Sequence, residues 1–332
     1  MMWLTWRQFR VQAAVLYGAM ALLAAGLAAT GPALARQYRA DGSHFLQDIS
    51  GTDRALYEVG ALAVLAVPVI IGLFWGAPLV TRELDAGTHR LAWTMTTRAR
   101  WLAAKLGLTG LAAVAAGGLL SLAVTWWASP VDAAIADTRG LPGPGLLVFT
   151  RLSREMFDSR GVVPLGYAAF AFVLGVAIGV LTRRTLPAMA IFLPVFIAVQ
   201  LTMALGVRPA LIAPARLTTV ITQANLLSIN VADSMTVVIK EPGAWITSER
   251  TVNAAGQPAR APAAVMNCLL KAGPGQTFRP CLTRLARLGY RQQVSYEPAS
   301  RFWVFQRDET LIYLALALIL AGACTGLIRR RS

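Results

Sequence analysis

The sequence predicts an all-α polytopic membrane protein with six transmembrane helices, both termini in the cytoplasm, and a small α+β exterior domain between the fifth and sixth spans. Three observations predict it. The 332 residues are 56% hydrophobic and only 14% charged, with mean hydropathy +0.56, whereas a soluble domain carries about 25% charged residues. Six apolar runs, near 11–35, 59–80, 106–127, 162–182, 186–207 and 310–328, each approach the ~20 residues that cross a hydrocarbon core. The third observation is charge placement. Segments 1–10, 81–105, 183–184 and 329–331 carry twelve Lys/Arg against two acids, Glu83 and Asp85, while the opposite loops 36–58 and 129–161 carry seven against eight. Basic residues mark the cytoplasmic side. That topology accounts for most of the net charge of +15, so no nucleic-acid partner is expected.

The chain divides into an N-terminal interfacial helix (1–10), spans one to five with a cytoplasmic segment at 81–105 (11–207), an exterior domain (208–308), and the sixth span with a basic tail (309–332). Met1–Arg10 sets Trp3, Leu4, Trp6 and Phe9 among Arg7, Gln8 and Arg10. That mixture suits a helix lying in the headgroup region, and equally a positive flank to the first span. Arg7, Arg10, the apolar run and Ala33-Leu34-Ala35 resemble a cleavable signal peptide. The run exceeds the roughly 7–15 residues of a signal core, so it reads as a span. Trp75 and Trp101 at inner ends, with Trp126 and Trp127 at an outer end, suit interfacial aromatic belts. Arg183-Arg184-Thr185 makes a tight cytoplasmic hairpin, with Pro187 near the start of the next helix, where a missing N–H costs little. Gly175/Gly179, Gly322/Gly326 and the face of Gly110, Ala113 and Gly117 are candidate helix contacts, because association in lipid relies on close packing. Pro68 and Pro194 predict kinks in the second and fifth spans.

In the exterior insertion, 234–240 and 244–252 flank Glu241-Pro242-Gly243, which reads as a turn between two strands. The stretch 280–289 reads as a short helix with Pro280 at its start and Gly289 at its end, and 291–296 as a further strand. Cys268 and Cys281 are the two cysteines of this domain. A bridge between them would close a loop worth roughly 3 kcal/mol in a compartment that permits it; two free thiols is the other reading.

Function is narrowed first by absences. None of the six apolar runs holds Asp, Glu, Lys, Arg or His, so proton or ion coupling has no evident carrier. There is no phosphate-cradling G-x-x-x-x-G-K-[ST] loop, no H-E-x-x-H and no G-x-S-x-G. The only histidines, His44 and His89, fall on opposite sides of the membrane, and no cysteine or histidine spacing suggests zinc. No catalytic residue, metal ligand or cofactor is expected in this chain, so energy must enter from outside it. The 81–105 segment is the candidate entry point. Its acids Glu83 and Asp85 come early and its bases Arg98, Arg100 and Lys105 late, as the helix dipole favours. Gly87 breaks it, and Thr88 is placed to cap a second short helix carrying His89, Arg90, Leu91, Trp93 and Met95. Apolar residues rimmed by charge suit a socket in a partner, or a helix resting on the inner leaflet.

Glu83-Leu84-Asp85-Ala86-Gly87-Thr88, followed by Leu91 and by Arg98, Arg100 and Lys105, is similar to the E-x-E-x-G-T…R…K loop between the second and third spans of type-2 ATP-binding-cassette (ABC) transporter permeases. Asp85 keeps the charge of the second Glu. The stretches 3–10, 75–107, 160–186 and 296–309 resemble permease subunits of actinobacteria. The resemblance implies a multi-pass subunit of a bacterial cell membrane, in contact with its lipids. It also implies a coupling helix, Glu83–Trp93, seated in a separate ATPase that binds ATP and Mg²⁺. A second permease, identical or a sister chain, completes the unit. An exporter of an amphiphilic small molecule, peptide or lipid follows, with a path between the second and fifth spans that makes Phe74, Phe192, Phe196, Gln200 and Met203 candidates. The competing reading is a membrane sensor whose exterior domain binds a ligand.

Overall fold

The computed structural model describes residues 2–47, 49–85, 98–137, 151–229, 235–271 and 277–330. Six helical segments in it are long and apolar enough to cross a membrane: Phe9–Asp41, Gly51–Arg82, Arg100–Ala136, Val163–Thr182, Thr185–Leu211 and Ala299–Leu327. The helices behind them are α1 (Met2–Asp41), α2 (Gly51–Ile70), α3 (Pro78–Asp85), α4 (Arg98–Asp137), the short α5 (Arg154–Phe157), α6 (Val163–Thr182), α7 (Thr185–Thr202), α8 (Arg208–Leu211) and α11 (Phe302–Arg330). At 40 residues each, α1 and α4 are about 60 Å long, twice the hydrocarbon thickness of roughly 30 Å. Residues 2–10 therefore continue the first span as one helix and do not form a separate interfacial one.

The fourth span sits at the centre, 78% buried where the others are 17–50% buried. Small residues make this closeness possible. A Cβ on Gly175 would lie 2.4 Å from Gly72 O, and one on Gly179 2.7 Å from Ala77 O; on the other flank, Gly117 faces Pro164 O at 2.8 Å. Backbones thus meet with nothing between them, the mode of association available in lipid. The Gly175/Gly179 pair is a helix contact; Gly322 and Gly326 have nothing within 4 Å.

Pro68 leads into a π-helical stretch, Ile71–Gly76, where Ala77 N–H donates to Gly72 O at 2.9 Å. A second such stretch, Met203–Val207, lies near the end of the fifth span. Pro194 sits inside an uninterrupted α-helix. The hairpin after the fourth span is as tight as expected: Arg183 closes it with φ 57°, its N–H donating to Gly179 O at 2.9 Å. The tryptophans correct the belt reading. Trp75, Trp101 and Trp127 are buried and only Trp126 is exposed, because packing partners are at hand. Phe9 meets Trp75 edge-on at 4.5 Å, and Trp127 Nε1 donates to Thr30 Oγ1 at 2.8 Å.

The inserted domain holds β1 (Ala215–Thr219), β2 (Leu226–Ile229), β3 (Met235–Val237), β4 (Trp245–Val252), α9 (Ala263–Lys271), α10 (Arg279–Arg287) and β5 (Arg291–Glu297). Glu241-Pro242-Gly243 is a turn, with Ala244 N–H donating to Glu241 O at 3.2 Å, but the strands it joins do not pair with each other. β3 pairs antiparallel with β2, while β4 joins a three-stranded antiparallel sheet of order β1-β5-β4. The core is formed by Val237, Val265, Leu269, Leu282, Leu285 and Val294. Cys268 and Cys281 form a disulfide, Cα atoms 5.9 Å apart. The 208–308 boundaries also shift, since Arg208 and Asp308 lie within helices of the fifth and sixth spans.

Candidate functional site

Chemistry-bearing side chains gather at two opposite ends of the bundle. The first is the base of the 81–105 segment. Helix α3 carries the second span through Arg82, Glu83 and Asp85, and α4 resumes at Arg98. Gly87, Thr88, His89, Arg90, Leu91 and Trp93 lie outside the described residues, as do the side chains of Glu83 and Asp85. What is described is how the base is tied down. Thr81, fully buried, donates to Ala77 O at 3.1 Å and shares a 2.7 Å hydrogen bond with Thr185 Oγ1 at the start of the fifth span. With its amide oxygen turned toward Arg82, Gln12 of the first span accepts from that guanidinium at 3.0 and 3.2 Å. Lys105 is buried on the other flank, its ammonium 4.8 Å from the Trp101 ring. The segment's base is therefore bonded to the first and fifth spans and packed on the fourth.

The second end lies at the stems of the inserted domain. The apolar runs hold no Asp, Glu, Lys, Arg or His, yet the helices extend past them and bring Arg208, Glu309 and Asp158 together. Arg208 is 2% exposed and Glu309 0%. The guanidinium grips Glu309 bidentately, Nε to Oε2 at 2.8 Å and Nη2 to Oε1 at 2.9 Å, and also pairs with Asp158. Its Cζ lies 4.2 Å from the centroid of the Phe157 ring. The Tyr167 hydroxyl reaches Glu309 Oε1 at 2.6 Å and Asp158 Oδ1 at 2.7 Å. One buried cation thus answers two carboxylates. Burial pushes the Asp158 carboxyl above the usual range; Arg208 opposes that shift, and the nearby Glu309 charge adds to it.

Gln306 completes the clasp by accepting from Val162 and Val163 N–H at 2.8 and 2.9 Å and donating to Phe157 O at 3.1 Å. The free N–H groups at the start of the fourth span are thereby capped by the sixth. Arg208 immediately precedes the inserted domain and Glu309 follows it, so this pair staples the domain's two stems at their base. A second tie sits above it, where Arg301 donates to Glu297 Oε2 at 2.8 Å and to Ala213 O at 2.9 Å. The sequence signal for this site was the pairing of an Arg and an acid at the two edges of one insertion.

The path candidates divide. Phe192 and Phe196 are buried and stacked at 5.5 Å, Phe196 lies 6.3 Å from Phe170, and Phe170 lies 5.4 Å from Tyr313. Tyr313 meets Tyr167 at 4.7 Å and hydrogen-bonds Gln200. Phe192 itself covers Gly72, where a Cβ would come within 2.0 Å of its ring. These residues form a packed aromatic column from the second span's π-helical stretch to the polar clasp. Met203 is buried as the first residue of the second π-helical stretch, and Phe74 alone of the five is exposed, at 49%. Among the described residues no group of three or more His, Cys, Asp or Glu could hold a metal ion.

A family model described as ABC-2 membrane transporter related matches residues 13–208, more than half of the chain. No curated protein and no solved structure is similar enough to match.

Proposed function

The chain belongs to the ABC-2-related family of membrane transporters as a permease subunit, and from that premise we propose that it is an exporter driven through the 81–105 segment by a separate ATPase. The observation that carries this reading is the tied base of the segment. Thr81–Thr185 and Gln12–Arg82 bond it to two other spans, so a push there reaches the fifth and first spans directly. The residues offered to the ATPase are Glu83, Asp85, Gly87, Thr88, His89, Arg90, Leu91 and Trp93. ATP and Mg²⁺ bind in the partner, whose closure rocks the spans between two states. A second permease, identical or sister, forms the other wall.

The cargo is an amphiphile: a small molecule, peptide or lipid. It runs along the exposed faces of the second and fifth spans. Phe74 touches it there, with Phe192, Phe196, Gln200 and Met203 as the packed wall behind. The unit works in a bacterial cell membrane, with the inserted domain outside, where a disulfide persists.

The test is co-expression with the candidate ATPase in nanodiscs. Cargo-stimulated ATP hydrolysis should fall at least about tenfold in Glu83→Ala/Trp93→Ala, a loss of about 1.4 kcal/mol of coupling, while both chains still co-purify. Unchanged stimulation would remove the coupling role.

A further inference from the structure

The inserted domain carries a charge imbalance that neither its fold nor the spans use. Between 212 and 300 nine cations are exposed among the described residues, seven of them arginine, against one exposed acid, Glu241. Their placement is not scattered. Opposite residues on paired strands share a face, and the registers put Arg216 opposite Ser295, Arg250 opposite Gln293, and Arg291 opposite Val252. Side chains alternate along a strand, so these three arginines stand on one face of the β1-β5-β4 sheet. The other face is the core side, where Gln292 and Val294 are buried.

The basic face also carries Thr218 and Ser248. Before Arg291 the chain leaves α10 through Gly289; that helix buries Cys281, Leu282 and Leu285 in the domain core and exposes Arg284 and Arg287. A basic stripe thus runs across the outer face of the sheet, while Arg284 and Arg287 add exposed charge on the helix that packs into the core beneath it. None of Arg216, Arg250, Arg284, Arg287 or Arg291 takes part in an ion pair among the described residues.

From this stripe we propose that the domain binds a linear polyanion of repeated phosphate groups. Charge complementarity and three further features of the stripe select that ligand. Arginine outnumbers lysine, and its planar fork matches phosphate oxygens bidentately. Thr218, Ser248 and Gln293 add neutral hydrogen-bond donors, which acceptor-only oxyanions need. Diagonal neighbours on adjacent strands, such as Arg250 and Arg291, are about 7–8 Å apart, and the stripe spans all three strands, with Arg216 on β1. It is therefore too extended for one small anion and suited to a chain of them. Arginine and phosphodiester-type groups both keep their charge across roughly pH 5–9, so binding depends on salt and not on pH in that window. The proposal is independent of what the spans carry.

The experiment uses the full chain in detergent micelles and fluorescently labelled long-chain polyphosphate, with anisotropy followed across a salt series. Arg216→Gln/Arg250→Gln/Arg291→Gln should weaken binding at least about tenfold and flatten the log–log salt dependence by about two to three, near one per lost phosphate contact. The charge-matched control Lys240→Gln/Lys271→Gln/Arg279→Gln should stay within about threefold of wild type. An intact Cys268–Cys281 bridge on non-reducing peptide mapping confirms folding of each variant. Equal losses in both triple variants would reduce the effect to net charge and overturn the proposal. So would absence of binding, or equally tight binding of polyglutamate of matched length, which would point to a carboxylate partner.

Discussion

Replacing Arg208 with Met takes away the cation that Glu309 and Asp158 share. Glu309 is fully buried and receives both Nε and Nη2 of that guanidinium. Removing one partner of such a pair costs about 3–5 kcal/mol, because the remaining charge stays desolvated and unanswered. Asp158 is less committed, its side chain 20% exposed, so water relieves it in part. In Arg208→Met/Glu309→Met the stranded carboxylate is gone, and an apolar replacement of similar volume is often close to neutral. The double variant should therefore be more stable than Arg208→Met alone. The coupling between the two positions should be about 2–4 kcal/mol, or roughly 30-fold to 800-fold in the folded-to-unfolded ratio. Unfolding by SDS titration in mixed micelles, followed through tryptophan fluorescence, measures all four corners of the cycle. Effects that add to within about 0.5 kcal/mol would show that the two residues do not act as a unit, and the clasp would lose its standing.

Three other outcomes follow from the same structure. Gly175→Ala drives a Cβ to 2.4 Å from the Gly72 carbonyl oxygen, whereas Gly322→Ala meets nothing within 4 Å; thermal melts should show a loss of about 1–3 kcal/mol for the first and near-neutrality for the second. Asp158→Asn tests the raised carboxyl. A raised folded-state pKa means that Asp158's contribution is complete below about pH 4 and is lost as pH rises through that higher value. The stability difference between wild type and Asp158→Asn should therefore shrink from pH 4 to pH 7, and a difference flat with pH would contradict the assignment. Cys281→Ser should lower the inserted domain's stability by about 3 kcal/mol, the loop-closure contribution of its bridge, read as faster proteolysis within 212–300 while the spans stay intact.

Six spans, the tight hairpin at Arg183, the turn at Gly243, the helix ending at Gly289 and strand β5 were legible because each rests on a local signal. Those signals are an apolar run of membrane length, a left-handed position, or a Pro–Gly pair around an amphipathic stretch. What escaped was set by non-local pairing. The strands around Glu241-Pro242-Gly243 look like a hairpin locally. β4 instead takes β5, some 40 residues away, as its neighbour, since that partner supplies the buried Gln292 and Val294. Trp75, Trp101 and Trp127 read as belt residues because an aromatic near a helix end looks the same from sequence whether it faces lipid or protein. The clasp was hidden by where the apolar runs stop. Arg208 and Glu309 lie one turn or less beyond them, and only their tertiary meeting shows that the pair is buried. Phe192 and Phe196 share a helix face in sequence, but whether that face lines a path or a core depends on Gly72 and Phe170 from other spans.

The coupling role of the 81–105 segment is tested most directly by cross-linking. In a Cys324→Ala background, which removes the free thiol, Leu91→Cys is paired with single cysteines around the ATPase groove in the assembled complex. Coupling through this segment predicts an efficient disulfide that blocks ATP-driven transport, with reduction restoring it. A complex that transports at the wild-type rate with Leu91→Cys cross-linked elsewhere, or that gives no cross-link to the ATPase at any position, would contradict it.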